Sequence, residues 1–173
     1  MKIEKSLVER YYLKEDWTYA DIHISIDGAL TIRSDYGDYA YRWGSFGDDF
    51  KRFLIGIGDD YLINKLGGSN SYIFDFDDTI KNIKKEILEY RRDGNSAEKV
   101  REIWDEIECL ESTNNKDIFF RDIMDTKYYD IICCNEPYNI IVEDIVNPPL
   151  NSFVKEIWPH FINALKKEKN DGH

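Results

Sequence analysis

Cysteine is scarce: the 173 residues hold three, Cys109, Cys133 and Cys134. The number is odd, two are adjacent and no C-x-x-C spacing occurs, which points to neither a disulfide framework nor a zinc site. Cys133 and Cys134 follow Ile131-Ile132 and read as small apolar residues of a strand. No His stands near them in sequence to support a catalytic thiol. No run of about 18 apolar residues occurs, so no membrane-spanning helix is expected. The opening Met1-Lys2-Ile3-Glu4-Lys5 lacks the apolar segment of a secretory signal, which makes the cytoplasm the expected location. Basic residues are outnumbered, 23 Lys and Arg against 34 Asp and Glu, for a net charge of −11. Stand-alone nucleic-acid binding is not expected of such a chain, because that affinity comes from Lys and Arg displacing phosphate counterions.

What is present is ample material for a core. Hydrophobic residues make up 42% and aromatics 14%, which argues against wholesale disorder. The length suits a single domain over 1–173, with a candidate internal boundary in Gly67-Gly68-Ser69-Asn70-Ser71. The acidic balance suits either a soluble protein kept dispersed by its own charge or a ligand for basic surfaces. Between Asp117 and Asp144, seven acids (Asp117, Asp122, Asp125, Asp130, Glu136, Glu143 and Asp144) face only Arg121 and Lys127. That stretch is the candidate partner-binding face.

The patterning predicts an α+β fold that begins with a three-stranded antiparallel meander packed by helices. Ile22, Ile24 and Ile26 alternate with Asp21, His23 and Ser25, Asp27-Gly28 marks a hairpin, and Leu30 and Ile32 return. After a second turn at Ser34 to Asp38, Tyr39, Tyr41 and Trp43 share one strand face, better placed in the core than as stacking platforms. Phe50, Phe53, Leu54 and Ile57 form a helical stripe. Residues 75–111 read as a helical hairpin, its two helices of opposite net charge, with Asp75 capping the first. Tyr128 to Cys134 and Tyr138 to Val146 read as a second small strand pair. Pro148-Pro149 closes that unit, and Asn151 or Ser152 caps a last helix carrying Phe153, Ile157, Phe161 and Leu165, kinked at Pro159. The tail Asn170 to His173 reads as frayed.

Two local patterns carry chemistry. Asp75-Phe76-Asp77-Asp78-Thr79, after Tyr72-Ile73-Phe74, looks like the first motif of the haloacid-dehalogenase phosphatases, in which paired carboxylates work beside Mg²⁺. The alternating strands and helices that such an enzyme needs do not follow it, and an Asp-rich helix N-terminus explains the same residues. The other pattern is Asp21, His23 and Ser25 on one strand face with Glu15 and Asp16 just before it. A His among carboxylates can act as general base and acid in cleaving RNA, where the 2′-hydroxyl is the nucleophile and no metal is needed. A structural or exposed His23 is the more common origin of such a pattern, since any polar strand face reads alike. Neither a cofactor nor a metal is expected.

Trp17-Thr18-Tyr19-Ala20-Asp21-Ile22, Ser34-Asp35-Tyr36-Gly37, Tyr41-Arg42-Trp43-Gly44, Phe50-Lys51-Arg52-Phe53-Leu54 and Ile157-Trp158-Pro159-His160-Phe161 together resemble small phage and prophage accessory proteins. Within that group the chain is similar to anti-CRISPR proteins that inhibit Cas9 and lead to truncation of its guide RNA. The resemblance covers nearly the whole chain and implies Cas9 and its guide RNA as partners. Glu15 is then the first acid to test for guide processing, followed by Asp16, Asp21 and His23. The alternative without catalysis is an acidic protein that blocks a basic groove by charge and shape.

Overall fold

The computed structural model describes residue 3 and residues 5–171. Its chain divides into two compact units, one built from residues 1–72 and 146–173 and the other from residues 73–145. The fold is α+β. Among the described residues, no helix is long and apolar enough to cross a membrane.

The first unit opens with four antiparallel strands in sequential order: β1 (Val8–Glu15), β2 (Thr18–Ser25), β3 (Ala29–Ser34) and β4 (Gly37–Arg42). The expected three-stranded meander is therefore four-stranded, with β1 added at its edge. Only Tyr11 and Leu13 of β1 pack against the core, so this strand has no apolar alternation to betray it. Pairing Ile22 with Ile32 and Ile24 with Leu30 puts those four side chains on one face, all almost fully buried. Ile26 does not join them. It lies beyond the end of β2 and is 75% exposed. Gly28 closes that turn at φ 85°, where a Cβ would collide with the Phe46 ring and the Trp43 carbonyl.

Helices α1 (Phe50–Gly56) and α2 (Asp59–Gly67) follow, and α7 (Pro148–Ser152) and α8 (Trp158–Asp171) complete the unit. Asp49 caps α1 by accepting the Arg52 N–H. Trp43 is buried, with Tyr41, Phe50 and Phe53 at ring distances of 4.7, 5.7 and 5.6 Å, while Tyr39 and Tyr41 are half-buried on the same core. Phe153, Ile157, Phe161 and Leu165 are buried as their spacing predicts. The start of this last helical stretch differs from expectation. Pro148 and Pro149 open α7 rather than ending the preceding unit, since a first turn needs no N–H from them, and Asn147 takes the cap position. At the other end the helix continues through Asn170 to Asp171, while residues 172 and 173 lie outside the described residues.

Lys51 ties β1, α1 and α8 together. Its ammonium lies 2.6 Å from Glu9 and 2.8 Å from Glu168, and the Tyr11 hydroxyl sits 2.9 and 3.0 Å from the same two carboxylates. Lys51 holds the Glu9 carboxyl below its ordinary value of 4.5, and burial pushes the Tyr11 hydroxyl up to about 12. A carboxyl depressed in the folded state stabilises above its unfolded range, and that contribution is lost as pH falls through the folded value. Lys51→Met should therefore lower stability by about 1 kcal/mol at neutral pH. Urea titrations of the two chains should converge as the pH is taken progressively below 4.5. A gap that persists undiminished in acid would show that the network does not work through these carboxylates.

The second unit holds the expected helical hairpin, α3 (Phe76–Arg92) and α4 (Ala97–Glu108), followed by α5 (Lys116–Met124) and α6 (Lys127–Ile131). Ile83, Ile87, Ile103, Ile107, Phe119, Ile123 and Tyr128 form its core. The strand expected over Tyr128 to Cys134 is a helix. Thr126 caps α6 through the Tyr129 N–H, and this local cap decides an apolar run too short for its period to settle. Cys133 is buried, its thiol pushed up by desolvation, and Cys134 and Asn135 take positive φ in the turn that follows. Of the second expected strand only β6 (Glu143–Val146) forms, after a 3-10 turn at Pro137–Asn139. The small strand pair is therefore β6 with β5 (Tyr72–Asp75).

Candidate functional site

Two backbone irregularities meet at one cleft of the first unit. The first lies in the hairpin between β1 and β2, whose two-residue turn is Asp16-Trp17. Asp16 takes φ 46°, a left-handed conformation that costs a residue with a Cβ about 1 kcal/mol. The second is a π-turn over Phe153–Ile157, in which the Trp158 N–H reaches back five residues to the Phe153 carbonyl. Its cause is Pro159, which has no N–H and whose ring would press on the carbonyl four residues earlier in a regular helix. Widening the turn just before Pro159 relieves that contact, and it also re-aims Glu156.

The cleft encloses about 660 Å³ and is lined by Glu15, Asp16 and Thr18 from the hairpin and by Glu156, Ile157 and His160 from the last helical stretch. Leu13 and Lys14 complete the wall. Glu15, Asp16, Glu156 and His160 are all exposed to solvent. The Tyr36 hydroxyl donates to Glu156 at 2.5 Å, which fixes that carboxylate and holds the phenol protonated above its ordinary range. The Tyr19 N–H donates to Asp35 at 2.8 Å and anchors the turn that carries Tyr36. Three carboxylates thus face one lysine and one histidine. Such a site accepts hydrogen bonds far more than it donates them and suits guanidinium or ammonium groups. His160, which lines the same cleft as Glu15 and Glu156, also supplies an imidazole for proton transfer there. Between Asp16 and Thr18, Trp17 projects into solvent with 97% of its surface exposed.

The four acid–base candidates of the sequence separate into two places. Glu15 and Asp16 line the cleft, whereas Asp21 and His23 lie on the outward face of β2, in register with Tyr12 and Arg10. Arg10 grips Asp21 with two bonds of 2.7 and 2.8 Å and holds its carboxyl below the ordinary range. His23 Nε2 is 3.1 Å from Asp21 without the alignment of a hydrogen bond. Sequence reasoning missed Glu156 and His160, which line the same cleft as Glu15, and Tyr36, which holds Glu156. The available signal was Pro159: a proline inside a helical stripe marks where the ladder must open, and its neighbours are the residues turned out by it.

The acidic stretch of the second unit is less continuous than its sequence. Asp122 pairs with Arg121 at 2.8 Å, Asp144 lies 3.4 Å from Lys116, and Glu143 accepts from Asn82 at 2.8 Å. Asp117, Asp125, Asp130 and Glu136 are exposed, distributed over α5, its C-terminal cap, α6 and the turn after it. The phosphatase-like segment is occupied structurally. Asp75 caps α3 by accepting the Asp78 N–H, Asp78 pairs with Lys81, and the buried Thr79 hydroxyl accepts the Glu143 N–H at 2.9 Å. Its strand β5 belongs to a two-stranded sheet, not to the doubly wound parallel sheet that positions such carboxylates for phosphoryl transfer.

Residues 1–167 match the model of a family described as a phage family. No curated protein and no solved structure matches the chain.

Proposed function

We infer the function from the premise that the chain belongs to this phage family. It is a phage accessory protein that captures a cationic surface of a host machine, with Trp17 as the apolar anchor and the Glu15, Asp16 and Glu156 carboxylates as the charged rim. The observation that carries this reading is Trp17, an indole left in water at the tip of a hairpin beside an acidic cleft. Exposed tryptophans are costly to keep, and at interfaces they are the residues on which binding energy concentrates. The resemblance gives the machine a specific identity, Cas9 loaded with its guide RNA, whose nucleic-acid channel is basic.

Guide truncation is the second component. His160 with Glu15 favours it, since an imidazole and a carboxylate in one cleft can move protons at a ribose 2′-hydroxyl. One gel separates the possibilities: the protein is mixed with Cas9 and labelled guide RNA, with and without Mg²⁺. Shortened guide that is lost with both Glu15→Ala and His160→Ala is the expected result for cleavage at the cleft. Full-length guide with blocked DNA cutting would leave capture alone as the function. Unimpaired Cas9 and intact guide would remove Cas9 as the partner.

A further inference from the structure

The helical hairpin of the second unit buries one stripe of side chains and leaves another in solvent. Val100, Ile103 and Ile107 turn α4 toward the core. Ala97, Arg101, Trp104 and Glu108 recur at the spacing of a second helical face, and Asp105 borders it. With Leu88 and Arg91 of α3 they line a groove of about 450 Å³ between the two helices. Leu88 is 44% exposed there, and the half-buried Trp104 ring has the Lys84 ammonium 4.8 Å from its centroid. Charge is sorted along the groove: Arg91 and Arg101 stand toward the hairpin turn, Asp105 and Glu108 toward the opposite end. Lysines take the neighbouring acids, Glu102 and Glu106 through Lys127 and Glu108 through Lys84, whereas among the described residues Asp105 and Arg101 have no ion-pair partner.

We propose that this groove pairs with its own copy, so that the chain forms a homodimer in which two hairpins stack as a four-helix bundle. The order of charges selects that occupant. A two-fold axis crossing the helices between Arg101 and Asp105 lays the basic end of each groove over the acidic end of the other. Arg101 then meets the partner's Asp105, the same contact recurs on the other side of the axis, and Arg91 reaches the partner's Glu108. Leu88 and Trp104 sit near the axis, where each covers apolar surface in place of water. Stacking with the axis along the helices would instead set Arg91 against the partner's Arg101, which like charge opposes. The overlap is limited by α4, 12 residues or about 18 Å long, so the dimer is weak and exchanging. The inference does not rest on the cleft reading, because it uses no residue of the first unit.

The test is sedimentation equilibrium of the full chain from about 10 µM to about 500 µM, a span that brackets weak association. It is run in about 0.15 M salt, where the long-range repulsion between chains of net charge −11 is screened. A rise from monomer to dimer mass with concentration is expected. Arg101→Asp alone and Asp105→Arg alone each set like charges opposite one another across the axis, and each should weaken the dimer at least about tenfold. Mixed in equal amounts, the two variants should associate again, because each presents the charge that the other lacks. Leu88→Asp should also abolish the dimer, and Trp17→Ala should leave it intact, so failure of this interface and failure of partner capture are separately visible. All four positions are exposed, so the fold should be kept. A chain that stays monomeric throughout would overturn the proposal and leave the groove to a partner of another kind. So would a dimer indifferent to both Arg101→Asp and Leu88→Asp, or single variants that stay apart when mixed.

Discussion

Trp17→Ala is expected to leave the melting transition where it is and to weaken capture of the Cas9–guide complex by about 2 kcal/mol or more, roughly thirtyfold. Stability should hold because the indole touches almost nothing: 97% of it lies in solvent, and exposed substitutions of this kind stay within about 0.5 kcal/mol. Affinity should fall because a partner pocket filled by an indole is left empty by a methyl group. Surface-immobilised Cas9–guide complex, titrated with the two chains, reads the difference directly. Equal binding by the variant would remove the hairpin tip from the interface and with it the reading that rests on Trp17. A salt titration adds a second readout, since the carboxylate rim acts through charge that is screened within about 10 Å at moderate ionic strength.

Deletion of Lys155 is the second large effect. The π-turn over Phe153–Ile157 holds one residue more than a regular helix would, and Lys155 is exposed there. Excising it closes the turn to α geometry and sets the Pro159 ring against the carbonyl four residues before it, at a cost of about 3 kcal/mol or more. Pro159→Ala introduced into the deleted chain should recover most of that loss, because alanine restores the missing N–H and has no ring to clash. Urea unfolding of the four chains forms a double-mutant cycle with a strongly favourable coupling term. If the deletion costs the same with and without Pro159, proline is not the cause of the π-turn. Even the rescued chain should bind its partner poorly, since closing the turn takes Glu156 away from Tyr36 and out of the cleft.

Glu156 is also where legibility in sequence stops. The alternation of Ile22 and Ile24 with polar residues and the stripes of α3 and α4 made the sheet and the hairpin readable, because each is set by local periodicity and a local cap. β1 escaped because an edge strand touches the core through two side chains only, too few to show a period. The run at Tyr128 to Cys134 was misread for the opposite reason: every position but Asp130 is apolar or aromatic, and a short helix and a short strand of that composition look alike until the Thr126 cap is weighed.

The candidate site followed the same division. Glu15 and Asp16 were singled out as acids before the first readable strand, but their grouping with Asp21 and His23 followed sequence proximity: Glu15 ends β1 and Asp16 sits in the turn, both at the cleft, while Asp21 and His23 lie on the outward face of β2. Their actual neighbours, Glu156 and His160, come from 140 or more residues further along the chain.

The residues alone fixed the net charge, and their local order determined the caps and most helices, because those depend on interactions within a few residues. Which acids share a cleft and which single tryptophan is left in water were decided only by tertiary packing, because contacts between distant segments carry no signature in either segment alone.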